Sequence, residues 1–293
     1  MAVKGVVVPL ITPYRDGEVD LESVKRHVDL LARAGIRAVF PVSTTGEGIL
    51  LSGSEKVSLV ETVIESARNV EVWPGTADPV LERTVGLART YQDMGAERVV
   101  VVTPYYYPLA DSTIEGYYRG LLERVDVKVV AYVIPSHTCN LPSPQVFKRL
   151  SAEYSHLTAV KVTTDNAAVL ESYLRALRGT GVEVLPGDFR LLPLASTYGV
   201  ESAVLGIANI APKTAARALK GLAEGSSAGL SAYRRLVMIS HELSSPLPCG
   251  VKEALRRAKV ILSSECRSPL RPEGETGDLP VDVAIEELMG GGE

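Results

Sequence analysis

At 293 residues, 46% hydrophobic and 23% charged, the chain has the composition of a globular protein with a sizeable core and a solvated surface. A formal net charge of −4, with no run of Lys or Arg, excludes a nucleic-acid footprint. No apolar stretch approaches the ~20 residues of a membrane span, and Met1 to Gly5 lead straight into strand-like sequence without the layout of a signal peptide.

In chain order, Lys4 to Thr12 is a buried-strand run ending at Pro13. Asp20 caps a helix whose apolar positions are Leu21, Val24, Val28 and Leu31. Ile36 to Val42 is the second strand, and Ser52-Gly53-Ser54-Glu55 is a capping box that opens the second helix. Val70 to Gly75 is the third strand, with Asp78-Pro79 as cap and first-turn proline of the third helix. Arg98 to Thr103 is the fourth, followed by a capping box at Ser112-Thr113-Ile114-Glu115. Lys128 to Pro135 is the fifth, with a short helix over Ser143 to Leu150. Leu157 to Val162 is the sixth; its helix carries Val169, Leu170, Tyr173, Leu174 and Leu177. Val182 to Pro186 and Ser202 to Ile207 are the seventh and eighth, each with its helix behind it.

Strand-then-helix units repeated eight times without a composition break predict an α/β fold, a (β/α)8 TIM barrel over residues 1–225. A doubly wound open sheet would advertise a glycine-rich first turn, which Pro9 to Pro13 is not. Residues 226–293 read as a C-terminal helical extension and tail: two amphipathic helices over Gly229–Leu243 and Gly250–Leu262, an irregular segment, and a last short helix near Val281–Met289. Three cysteines, Cys139, Cys249 and Cys266, are odd in number and widely spaced, which points to a reduced, cytoplasmic protein.

Barrel active sites lie at the C-terminal ends of the strands, so polar residues that end different strands converge on one mouth. Here these are Ser43-Thr44-Thr45-Gly46 after strand two, Tyr105 and Tyr106 after strand four, Tyr132 on strand five, Lys161 on strand six, and Gly187 and Asp188 after strand seven. Val204 on strand eight joins the substrate-contact candidates. Asp188 serves either to orient substrate hydroxyls or to cap the following segment, and Glu47 either braces the threonine turn or touches ligand. No cluster with metal-ligand spacing and no phosphate loop occurs, so neither metal nor dissociable cofactor is expected.

The lysine is the anomaly. An ordinary lysine has a pKa near 10.4, so only roughly one part in a few thousand is neutral at pH 7. In an apolar strand with no neighbouring carboxylate in sequence, Lys161 is either a strand-end amine stretched into water or a desolvated nucleophile. An amine, phenols and threonine hydroxyls suit imine chemistry on a keto acid, with protons relayed through tyrosine and threonine. The threonine turn offers hydroxyls and backbone N–H groups to a carboxylate. Lys4, Lys128, Lys213 and Lys252, at element starts, read as surface charges, and His27, His156 and His241 as structural.

The segments Ser43-Thr44-Thr45-Gly46-Glu47, Thr103-Pro104-Tyr105-Tyr106, Tyr132-Val133-Ile134-Pro135 and Val160-Lys161 together resemble the dihydrodipicolinate synthase / N-acetylneuraminate lyase family, in register from about Gly5 to Leu262. The resemblance implies a class I aldolase or lyase that uses pyruvate, forms a covalent imine without a cofactor, and assembles as a homotetramer, a dimer of dimers. It makes Lys161 the imine-forming residue and Tyr132 the proton-transfer residue, with Thr44 in the relay and Thr45 and its loop amides, beside Ser43 and Gly46, on the pyruvate carboxylate. It also has Tyr106 reach the site of an adjacent subunit.

The synthase branch carries an arginine for the carboxylate of aspartate semialdehyde where His137 stands, and an asparagine at Val133. Tyr105-Tyr106-Tyr107-Pro108 resembles the archaeal 2-keto-3-deoxygluconate aldolases, although those carry leucine at Glu47 and a YNYP-type motif where this chain has YVIP. The expectation is therefore an aldolase acting on a 2-keto-3-deoxy sugar acid, with a synthase condensing pyruvate and aspartate semialdehyde as the alternative. His137 is then a second-substrate contact. A non-catalytic keto-acid-binding barrel is the reading from another class, and the intact set of amine, phenol and threonine turn argues against it.

Overall fold

Gly5–Pro9, Ala38–Phe40, Glu71–Val72, Arg98–Val102, Lys128–Val133, Leu157–Val162, Glu183–Pro186 and Ser202–Val204 are eight strands in the computed structural model, which describes residues 4–243 and 247–271. They form two parallel four-stranded sheets, in the orders eight-one-two-three and four-five-six-seven. A bridge between Gly75 and Val100 joins strands three and four, and strands seven and eight lie side by side at the other seam. Helices between successive strands cover the outside, which gives a (β/α)8 barrel with further helices at the C-terminal end.

Alternation along the strands separates two apolar layers. Val129, Ala131 and Val133 face outward into the large core shared with the helices, with Val28, Leu59, Leu121, Phe147 and Leu170. Val130, Tyr132 and Ile134 face inward, with Val7, Phe40, Trp73, Val100, Ala159, Leu185 and Val204, and fill the barrel. Parallel register sets Val102 opposite Tyr132, Tyr132 opposite Lys161, and Lys161 opposite Leu185. One interior layer thus places the phenol and the amine side by side.

The caps at Asp20 and at Ser52 with Glu55 form as the sequence predicts. Two others do not. Asp78 accepts from the Val80 amide and pairs with Arg83, so its turn precedes the helix Leu81–Asp93, which starts from extended Val80. The helix Asp111–Leu122 begins two residues earlier than the Ser112 box requires, with Ala110 at its N-cap position and Asp111 in its first turn.

Ser227–Glu242 crosses Pro212–Ala223 at Gly221 and Gly229, where any Cβ would lie within 2.3 Å of the facing backbone. Cys249–Arg257 buries Val251, Ala254 and Leu255 in the barrel's own outer core, so the extension shares the apolar cluster of the first 225 residues. Cys139, Cys249 and Cys266 are free thiols. The short helix expected near Val281–Met289 lies outside the described residues. No helix among the described residues is long and apolar enough to cross a membrane.

Candidate active site

Lys161 is 4% exposed, and the first of the two readings of its amine, stretched into water, does not hold. Its Nζ lies 3.7 Å from the centroid of the Tyr132 ring and 5.2 Å from that of Phe40. Among the described residues no carboxylate pairs with it. Burial holds the ammonium below the ordinary lysine range, opposed by the Tyr132 phenol. Tyr132 moves the opposite way from most buried tyrosines: burial pushes it up, but the Lys161 charge and the Thr44 hydroxyl together bring it below the usual phenol range. The two groups share one proton balance, so the pair titrates together.

The phenol is fixed at both ends. Its hydroxyl lies 3.4 Å from Thr44 Oγ1. Its backbone carbonyl accepts from the Thr103 amide at 2.8 Å and the Thr103 hydroxyl at 3.1 Å. The Thr163 hydroxyl, on the other side, also helps hold the phenol below its usual range. Gly187 is glycine of necessity there, since a Cβ would meet Thr163 Oγ1 at 1.9 Å.

The threonine turn is wound tightly. Ser43 Oγ lies 3.2 Å from the Leu10 carbonyl and accepts from the Gly46 amide, so this serine shapes the loop. A Cβ on Gly46 would meet the Leu10 carbonyl at 2.5 Å. The amides of Gly46, Glu47 and Gly48 turn back onto Ser43 and Thr44, whereas those of Thr44 and Thr45 make no hydrogen bond among the described residues. Val42, a β-branched residue, is held at φ +57° just before the turn, a strained conformation of the kind found where loop geometry is over-determined.

Glu47 answers its alternative as the brace. It forms a fully buried ion pair with Lys252, and its second oxygen accepts from the Arg267 amide at 2.8 Å. Lys252 also donates to the Glu265 carbonyl, while Arg267 pairs with Glu55. Reading Lys252 as a surface charge is therefore wrong. It stands three residues before Leu255 on the buried face of its helix, and that spacing was the available signal.

The other candidates spread out. His137 stands at the rim, its Nδ1 3.0 Å from Ser136 Oγ, and burial followed by the Lys161 charge holds it below the usual imidazole range. Asp188 accepts from the Arg190 amide and pairs with its guanidinium, the capping role. Val204 sits inside the barrel. Thr45 Oγ1 lies 3.4 Å from the position a Cβ would take on Gly206. Tyr106 is 79% exposed with φ +81°, edge-on to exposed Tyr107, and does not line the cavity beside Tyr132 in its own chain.

A cavity of about 260 Å³ opens at this mouth, bordered by Thr44, Tyr132, Tyr105, His137 and apolar side chains including Phe40 and Ile134. Among the described residues no group of His, Cys, Asp and Glu could hold a metal ion.

A parallel barrel with a dry, carboxylate-free lysine beside a phenol at its mouth belongs to the class of imine-forming enzymes. Residues 2–288 match the model of the dihydrodipicolinate synthetase family, and the chain belongs to that family. It is similar to the 4-hydroxy-tetrahydrodipicolinate synthases of Methanococcus vannielii, 29% identical over 98% of this chain and 99% of that protein, and of Chlorobium luteolum, 31% identical over 98% and 97%. Among solved structures, dihydrodipicolinate synthase from Acinetobacter baumannii, complexed with pyruvate, superposes with a TM-score of 0.90 at 25% identity, covering 98% of this chain and 99% of that one. The protein is accordingly a pyruvate-dependent lyase of this family, whose enzymes work through a lysine imine without a separate cofactor.

Proposed function

We propose that the protein is a class I aldolase in which Lys161 carries the imine. The observation that supports this most directly is an amine buried against Tyr132 and Phe40 with no carboxylate to keep it charged. Neutral Nζ attacks the keto carbon of pyruvate, a C–N bond forms, and the carbonyl oxygen leaves as water after taking up protons. Loss of a methyl proton gives the enamine, whose carbon bonds to the aldehyde carbon while the aldehyde oxygen takes the Tyr132 proton. Water then releases the 4-hydroxy-2-keto acid and restores Lys161; cleavage is the reverse. Thr44, 3.4 Å from the phenol, passes protons to and from it. The unengaged amides of Thr44 and Thr45 receive the pyruvate carboxylate.

Tyr106, exposed on a strained backbone, serves the site of an adjacent copy, so the working form is an oligomer, a homotetramer by family resemblance. Of the two substrates that the sequence brings forward, a 2-keto-3-deoxy sugar acid is favoured over aspartate semialdehyde, because a rim imidazole at His137 does not replace a bidentate guanidinium. Borohydride reduction with pyruvate followed by peptide mass spectrometry tests the reading. The expected adduct lies on the peptide containing Lys161, and an adduct elsewhere, or none, overturns it.

A further inference from the structure

We infer that the aldehyde joined to, or released from, pyruvate at this site is an uncharged, apolar one, a better fit than either the sugar acid or the amino aldehyde. The inference rests on the imine step of the aldolase reading and sets aside the sugar acid as the source of its aldehyde. The cavity beyond Tyr132 is walled by Phe40, Ile49, Val102, Ile134, Leu247 and Leu270. Three of these are large apolar side chains left open to solvent, with Ile49 63%, Leu247 48% and Leu270 38% exposed. Apolar groups gathered at one opening mark a surface meant to be covered.

The polar groups at the wall are already engaged. Ser43 Oγ is held by the Leu10 carbonyl and the Gly46 amide. Thr138 Oγ1 sits between the carbonyls of Ile134 and Asn140 at 3.0 and 3.1 Å. Glu47 is bound on both oxygens by Lys252 and the Arg267 amide. Tyr105 OH is directed to the Ala77 carbonyl at 3.5 Å. Within one chain that leaves Thr44 and Tyr132, which belong to the proton path, and His137.

No cation is available either. Apart from Lys161 behind the Tyr132 and Phe40 rings, no Lys or Arg borders the cavity among the described residues. The sequence over 244–246 and 272–293 contains neither residue type. A carboxylate on the aldehyde would lose its water without gaining a partner, and a row of hydroxyls would lose hydrogen bonds that the wall does not replace. An alkyl or aryl chain loses neither.

A matched set of aldehydes separates these cases: butyraldehyde, succinic semialdehyde, which has the same chain length with a terminal carboxylate, and glyceraldehyde. Exchange of the pyruvate methyl protons in D2O, followed by NMR, comes first and needs no aldehyde. If no exchange occurs, the imine reading and this inference fall together. With exchange present, the condensation kcat/KM with pyruvate is expected to be at least ~10-fold higher for butyraldehyde than for the other two. Equal or better turnover of succinic semialdehyde or glyceraldehyde overturns the inference and leaves the imine intact. His137→Arg, verified by the same exchange assay, supplies the missing guanidinium at the rim and should narrow the gap to succinic semialdehyde by roughly tenfold. An unchanged gap overturns the argument from charge.

Discussion

Two lysines of this chain are buried to almost the same degree and do opposite things. Lys252 is fully enclosed with Glu47 against it, a backbone carbonyl on its Nζ and the Tyr14 ring at 4.3 Å. Lys161 has the Tyr132 and Phe40 rings against its Nζ and no carboxylate partner among the described residues. The carboxylate makes the difference. Glu47 gives Lys252 a buried counter-charge, and the pair locks the C-terminal extension onto the back of the threonine turn. Beside Tyr132 desolvation acts against the charge, and the amine is kept ready to react.

The sharpest way to break the comparison is to remove each amine with little change in volume. Lys161→Met should abolish borohydride trapping and turnover while leaving the urea midpoint unchanged or raised, because no carboxylate loses its partner. Lost stability with retained trapping would place this lysine in the structural class. Tyr132→Phe keeps the ring against Nζ and removes the hydroxyl; kcat should fall by about 10²–10⁴-fold while the imine still forms on borohydride treatment. Full turnover in this variant would remove the phenol from the proton path.

Lys252→Met should do the reverse of Lys161→Met. It leaves Glu47 buried without a counter-charge, at a cost of about 3–5 kcal/mol in denaturant unfolding, with pyruvate trapping retained. A loss below about 1 kcal/mol would mean that the pair does not brace the turn.

The smallest effect concerns another buried base. His27 is held neutral by burial, down to about 4, despite its contact with the Asn209 carbonyl at 3.2 Å. The unfolded chain takes up this proton near pH 6.5 and the folded one does not until about 4. Stability should therefore fall as pH drops through this window, by up to about 3 kcal/mol from the 2.5-unit difference. Urea unfolding at pH 7 and pH 5 should show the loss, and His27→Gln should remove it. The same slope in both proteins would assign the loss to other groups.

The sequence carried the barrel because strand and helix announce themselves locally. Runs such as Arg98 to Thr103 and Leu157 to Val162 stand out against their flanks, and Asp20 and Ser52 with Glu55 mark helix starts through bonds to amides three residues away. It also brought Thr44, Tyr132 and Lys161 to one place, since residues ending successive parallel strands must meet at one mouth. Caps failed where the side chain took other local partners, as Asp78 does with the Val80 amide and Arg83.

The sequence by itself determined the eight-fold alternation, the family, and which amine, phenol and hydroxyls share an opening, all of which follow from short-range periodicity and strand direction. Tertiary structure alone decided that Lys252 meets Glu47 across 205 residues, that Asp188 is held by Arg190, and that the cavity beside Tyr132 is walled largely by apolar side chains. Those outcomes depend on which groups are brought together after the chain closes on itself, and the free energy of a buried charge is set by that company rather than by its neighbours in sequence.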